Sequence, residues 1–192
     1  MFTEPGTWDG GSIELLCALG APSPALRNRA HRTVWSWPGL VGPYRSAGVE
    51  PNEQVVCHTT NEEATYGVAA LPGSLGQVAF QSTFVEDSEG LWLYAGAPLG
   101  SLGRVLPVGA FPFGEPEVEP WEHILYAWLF GLAEHLHAEV PFERAVMGWL
   151  TTAEVDELAA KRLPAVRYHG YVVSHGGRLL YYPPNRQSAL LE

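Results

Sequence analysis

Residues 53–95 read EQVVCHTTNEEATYGVAALPGSLGQVAFQSTFVEDSEGLWLYA. Four runs rich in Val, Thr, Tyr, Phe and Trp, at about 53–59, 64–71, 77–85 and 90–95, are separated by Asn61-Glu62-Glu63, Pro72-Gly73-Ser74 and Asp87-Ser88-Glu89-Gly90. β-Branched and aromatic side chains suit a pleated surface, and connectors this short admit hairpins but no crossover helices. The stretch predicts an antiparallel meander of four strands.

Toward the N-terminus, Ile13, Leu15, Cys17 and Leu19 alternate with Glu14, Leu16 and Ala18, the pattern of a strand buried on one face and partly covered on the other. Gly20 ends it. Ser23 and Pro24 suit a helix start, because Ser caps free amides and Pro at the first position loses no hydrogen bond. Leu26, Ala30, Val34 and Trp37 then share a helical face that Pro38-Gly39 closes. The aromatics Trp35, Trp37 and Tyr44 lie in a Gly- and Pro-rich stretch that stops the helix, and they serve either as packing or as a groove for a partner.

Toward the C-terminus, 96–120 is rich in Gly and Pro and is expected to be an irregular loop packed on the body through Val105, Leu106, Val108, Phe111 and Phe113. A helix is predicted from Pro120 to Ala138, with Ile124, Leu125, Trp128, Leu129, Leu132 and Leu136 on its core face. Tyr126 and Phe130 fall on the opposite side, where either another element covers them or they form an exposed aromatic patch edged by acids. A strand over 142–150, a short helix over 151–163 opened by Thr151 and Glu154, and a hairpin of 166–173 with 178–182 complete the reading, with 183–192 as a poorly ordered tail. The fold class is α+β: a single domain over 1–192, a largely antiparallel sheet with helices mainly on one face.

Composition agrees with one domain, since 192 residues at 46% hydrophobic supply a sizeable core. Cys17 and Cys57 sit in apolar surroundings and are expected to be buried reduced thiols. No leader pattern or apolar run of membrane-spanning length occurs, so a soluble, cytoplasmic protein is expected. No cofactor or metal is expected.

Charge is the feature that bears on function. Between 51 and 160 there are sixteen Asp or Glu against two Arg and no Lys, whereas 161–192 carries one acid and five bases; the chain totals −10. Such a field attracts a cationic partner and repels nucleic acid. The lone Lys161 is followed by Arg162 and no glycine-rich loop precedes it, which removes a P-loop nucleotidase. Arg27, Arg29 and Arg32 are too few to make a nucleic-acid face.

Catalytic chemistry has one weak candidate pair, Glu134 and His137, spaced i, i+3 on the long helix as in helical carboxylate–imidazole metal sites. Two ligands do not make a site, and His123 lies about 16 Å further along the axis. A solvated helix face explains the pair as well. His175-Gly176-Gly177 lacks a companion Gly-x-Ser-x-Gly and reads as a turn.

These observations lead to the expectation of a non-enzymatic acidic protein-binding module, of the immunity-protein or antitoxin kind that masks a cationic partner. Its candidate contacts are Glu115, Glu117, Glu119 and Glu122, with Tyr126 as an aromatic anchor. The alternative is a small ligand-binding domain or metal-assisted hydrolase with a pocket near 96–120. A homodimer through an exposed sheet edge is a further possibility, and neither nucleic acid nor a membrane is an expected partner.

Overall fold

The computed structural model describes residues 1–57, 64–106, 120–149 and 162–185. Among these residues, eight antiparallel strands form one sheet in the order β2-β3-β4-β5-β1-β6-β7-β8. They are β1 (Ser12–Gly20), β2 (Leu40–Tyr44), β3 (Ala64–Leu71), β4 (Gly76–Glu86), β5 (Leu91–Pro98), β6 (Arg144–Trp149), β7 (Gly170–His175) and β8 (Arg178–Tyr182). The helices are α1 (Pro24–Trp35), the single turn α2 (Leu99–Leu102) and α3 (Pro120–Glu139). The expected single α+β domain is what the chain forms.

Strand β1 lies at the centre of the order, joining the β2–β5 meander to the β6–β8 half. Its odd residues Ile13, Leu15, Cys17 and Leu19 enter one core with Val34 and Trp35 of α1, Leu102 of α2 and Leu125, Trp128, Leu129, Leu132 and Leu136 of α3. The helices therefore share one face of the sheet. Burying each of these large apolar side chains contributes roughly 2 kcal/mol, so α3 is held by its stripe and not by helix propensity. Ile124, read from the sequence as part of that stripe, is instead exposed.

The opposite face carries two smaller clusters. Leu16, Trp92, Val146 and Tyr171 form one, with Leu163 packed on it. Phe2, Tyr44, Val68 and Ala79 form the other, where the N-terminal segment crosses β2–β4. Glu50 fixes that segment by accepting hydrogen bonds from the amides of Phe2 (3.1 Å) and Thr3 (2.8 Å), which brings Trp8 edge-on to Phe2 and Tyr66.

Ser23 caps α1 as its sequence indicates, accepting from the Leu26 amide at 3.1 Å. The strand expected over 53–59 is absent over 53–57: Pro51–Glu53 is a 3₁₀ turn, and the segment after it meets β2 through one bond, Cys57 N–H to Pro43 C=O at 2.7 Å. Val55 is 89% exposed, while Val56 packs on the Phe2–Tyr44 cluster, so only one of the apolar pair that suggested a strand enters a core. Residues 58–63, 107–119, 150–161 and 186–192, which include much of the expected loop, the Thr151 helix and most of the tail, lie outside the described residues. Within 96–106, β5 continues to Pro98 and α2 follows, where an irregular chain was expected. Pro183–Asn185, expected to open a loose tail, leads to a tie in which the Asn185 amide donates to Arg167 C=O at 2.9 Å and the Arg167 amide donates to Asn185 Oδ1 at 2.7 Å.

The 35–44 stretch is packing. Trp35 is buried, and its indole N–H is shared between Thr65 Oγ1 (3.2 Å) and Ser82 Oγ (3.1 Å). The ring fits because β3 has glycine beneath it: a β-carbon at Gly67 would lie 2.3 Å from the Trp35 ring and 2.5 Å from Val41 C=O. Trp37 packs on His135 with centroids 5.2 Å apart, and Tyr44 is buried against Phe2. Gly67→Ala is expected to cost about 3 kcal/mol, because backbone as well as a buried ring must move, and Trp35→Phe about 1–2 kcal/mol through the lost donor. Urea unfolding of both variants measures the ranking; a Gly67→Ala protein as stable as the parent would refute the packing account.

Candidate functional site

His137 is held by its surroundings. Its Nδ1 accepts the Phe142 amide at 3.1 Å, which puts the proton of the neutral ring on Nε2, and Nε2 stands 3.4 Å from Ser174 Oγ. The ring meets Phe142 edge-on at 4.9 Å, and burial lowers its pKa below the ordinary value of 6.5. Glu134 is exposed on the same helix. Among the described residues, no three His, Cys, Asp or Glu side chains are placed to hold a metal ion. His137 thus joins the end of α3 to β7, and the pair acquires no further ligand there.

Tyr126 is covered from the sheet. Its ring lies 6.5 Å from Tyr181, while Phe130 lies 5.7 Å from the same tyrosine, so of the two alternatives cover by another element, here β8, is the one that forms. A β-carbon at Gly170 would stand 3.3 Å from the Tyr126 ring, and one at Gly148 would stand 3.1 Å from its hydroxyl and 2.9 Å from His169 Nδ1. Burial, with Glu122 and Tyr181 adding repulsion, pushes the Tyr126 hydroxyl above the ordinary phenol range, and burial pushes Tyr181 up to about 12. Both phenols stay protonated. Glu122 is half-buried one helical turn before Tyr126, while Glu115, Glu117 and Glu119 lie outside the described residues.

At one end of the sheet an open cleft of about 330 Å³ runs between the end of β1, the β4–β5 turn and the α3–β6 connection. Leu91, Trp92 and Phe142 form its apolar floor, and Glu89, Glu143 and Arg144 its charged lining. Asp87 shapes the turn by accepting the amides of Glu89 (2.8 Å) and Gly90 (3.0 Å). Glu86 lies at the end of β4 and reaches Arg27 at 3.4 Å. Four acids from two distant parts of the chain therefore gather at one end of the molecule, a grouping invisible along the sequence.

Sequence reasoning also missed Glu14. It stands on the face away from the helices, half-buried, with glycine directly opposite on both neighbouring strands: Gly96 of β5 and Gly148 of β6. Burial raises its carboxyl to about 7. A lone Glu within an alternating strand carries no sign of this, because the glycines come from positions 82 and 134 residues later.

The two titrations act in opposite directions. Glu14 has a raised folded pKa, so the stability its neutral form confers is complete below about pH 4.5 and is lost as pH rises toward 7. The loss is at most about 3 kcal/mol and is lessened by residual exposure. Glu14→Gln should match the parent near pH 4.5 and exceed it in stability at pH 8, as measured by urea unfolding at both values; equal stabilities at pH 8 would contradict the burial. His137 has a lowered folded pKa, so its contribution is complete above pH 6.5 and is lost as pH falls below it. Its imidazole resonances should titrate with a midpoint under 6.5, and a midpoint at or above that value would remove the burial argument. Compared with known proteins, the chain matches no family model, no curated protein and no solved structure, which leaves the arrangement of its own residues to carry any functional reading.

Proposed function

We propose that the chain is a non-enzymatic acidic protein-binding module that masks a cationic partner, in the manner of immunity proteins and antitoxins. The observation that carries this reading is the end cleft, where Glu89 and Glu143 line an apolar floor of Leu91, Trp92 and Phe142. Apolar surface bordered by acids suits a Lys or Arg side chain, whose stem covers hydrocarbon while its head meets carboxylate. Asp87 adds to the field at that end, Glu86 is offset by its pairing with Arg27, and among the described residues Arg144 is the one cation lining the cleft. The excess of acids over 51–160 provides long-range attraction, with Glu115, Glu117, Glu119 and Glu122 as a second group of contacts.

The test is capture of partners from native lysate on the purified chain at low and moderate salt, followed by mass identification. The expected result is a stoichiometric basic protein, retained by the parent and lost from a Glu89→Lys, Glu143→Lys variant with at least a tenfold drop in affinity. Retention of nothing basic at moderate salt would overturn the reading. Loss from a Glu115→Lys, Glu117→Lys, Glu119→Lys variant alone would keep the module and move its contact surface to the second group.

A further inference from the structure

The two edges of the sheet are finished differently. At the β2 edge Pro43 has no amide hydrogen, its C=O already accepts the Cys57 amide at 2.7 Å, and the pairing with β3 is irregular between Val41 and Tyr44. Proline and a broken register are common protections of an edge strand. β8 has neither: Arg178-Leu179-Leu180-Tyr181-Tyr182 contains no Pro or Lys, and it pairs with β7 without a shift from His175↔Arg178 to Tyr171↔Tyr182.

The direction of its backbone groups follows from the hairpin. Gly176 (φ 59°) and Gly177 (φ 78°) make a two-residue turn, which sets His175 and Arg178 as a hydrogen-bonded pair. Bonded and non-bonded pairs alternate, so Ser174↔Leu179 is a non-bonded pair. In agreement, the Ser174 amide donates away from β8, to Glu143 C=O at 2.9 Å. The N–H and C=O groups of Leu179 and Tyr181 therefore point outward, and among the described residues nothing pairs with them. Side chains divide by the same parity. Leu179 and Tyr181 pack against the core beneath the helices, while Tyr182 packs with the Leu16–Trp92 cluster on the other face, where Leu180 is 43% exposed.

We propose that β8 is a self-association edge, through which two copies of the chain pair antiparallel about a two-fold axis at Leu180 and join their sheets into one. Leu179 then exchanges both backbone bonds with Tyr181 of the second copy, and Tyr181 with Leu179 of the second copy, which satisfies every outward N–H and C=O of these residues. On the face away from the helices the two Leu180 residues meet with Cα atoms about 4.5 Å apart, and Arg178 lies across from Tyr182 of the second copy, a guanidinium beside a phenol ring. The two Arg178 charges stay about 14 Å apart along the strands, beyond the screening length of about 8 Å at physiological salt.

Other registers lose bonds. An axis at Tyr181 opposes Leu179 to Pro183, which has no N–H and whose C=O already accepts Arg167 Nε at 3.0 Å. An axis at Leu179 opposes Tyr181 to Gly177, inside the turn. Because the β2 edge is protected, pairing through β8 closes at two copies and does not run on into a fibre. This self-complementarity favours a second copy over a foreign strand. The surface is separate from the end cleft and from the basic-partner reading.

The experiment is sedimentation equilibrium of the intact chain from about 5 to 500 µM, with amide hydrogen exchange measured at both ends of that range. The expected mass rises from one chain toward two. The amides of Leu179 and Tyr181 should exchange several-fold more slowly at the high concentration, while that of Leu180, already bonded to β7, should change little. Leu180→Lys and Leu180→Glu, each of which sets like charges together on the axis, should both be monomeric across the range, and an equimolar mixture of the two should recover the dimer. Should either variant fail to fold, the exchange pattern of the parent still decides. A single-chain mass at every concentration, a dimer indifferent to Leu180→Lys, or a mixture no more associated than its components would overturn the proposal. Slowed exchange at Leu179 and Tyr181 only when a foreign protein is bound would assign the edge to another partner and overturn it as well.

Discussion

Strand β1 hydrogen-bonds along both of its edges, to β5 from Ser12↔Pro98 to Gly20↔Leu91 and to β6 from Ile13↔Trp149 to Cys17↔Ala145. Among the described residues it is the strand that links the meander half of the sheet to the C-terminal half, so both halves depend on it for a shared core. Its partners are some 80 and 130 residues away, and closing such loops costs entropy before any contact offsets it. What offsets it is burial on both faces, since Leu15, Leu16 and Cys17 are wholly enclosed. Backbone pairing then aligns the strands, while side chains supply the free energy.

A strand so placed has no neutral position. The odd residues face α1 and α3, where a polar group would be stranded, and the even residues face a thinner covering that tolerates one exception, Glu14. The exception sits where both neighbours are glycine. On the other half of the sheet the same device serves packing alone, because Gly67 gives way to the Trp35 ring, whose donor is shared by Thr65 and Ser82. In each case the chain itself takes the place of the missing β-carbon: the Trp35 ring at Gly67, the β1 backbone at Gly96, and His169 with the Tyr126 hydroxyl at Gly148.

Local signals were legible in the sequence where the chain's own periodicity set the outcome. Alternation announced β1, Ser23-Pro24 announced α1, and the short connectors announced three of the four meander strands. β2 was not legible, because Gly42 and Pro43 interrupt any strand pattern, and it forms only through β3, which supplies partners for Leu40, Val41 and Tyr44. Residues 53–57 erred in the other direction: Val55 and Val56 have strand propensity, but Pro51 begins a 3₁₀ turn and Val55 finds no neighbour. Propensity yields to tertiary context in both cases. The candidate site was least legible of all. Glu14 becomes distinctive through residues 96 and 148, and the end cleft through residues 89 and 143, and pairings at that separation leave no trace in a single chain.

The acids of this protein consequently fall into two physical classes. Glu89, Glu143 and their neighbours face water, where a charge acts through a field that salt weakens over about 10 Å, so they influence encounter more than residence. Glu14 is half-buried, and burial, by raising its carboxyl to about 7, puts its charge under the control of pH. A surface acid can be exchanged for another nearby with small loss, because the field sums over many. Glu14 has no counterpart on β1, because register sets glycine opposite it on both sides at that one position. Net charge therefore describes the first class and says nothing of the second, although both are counted in the same −10.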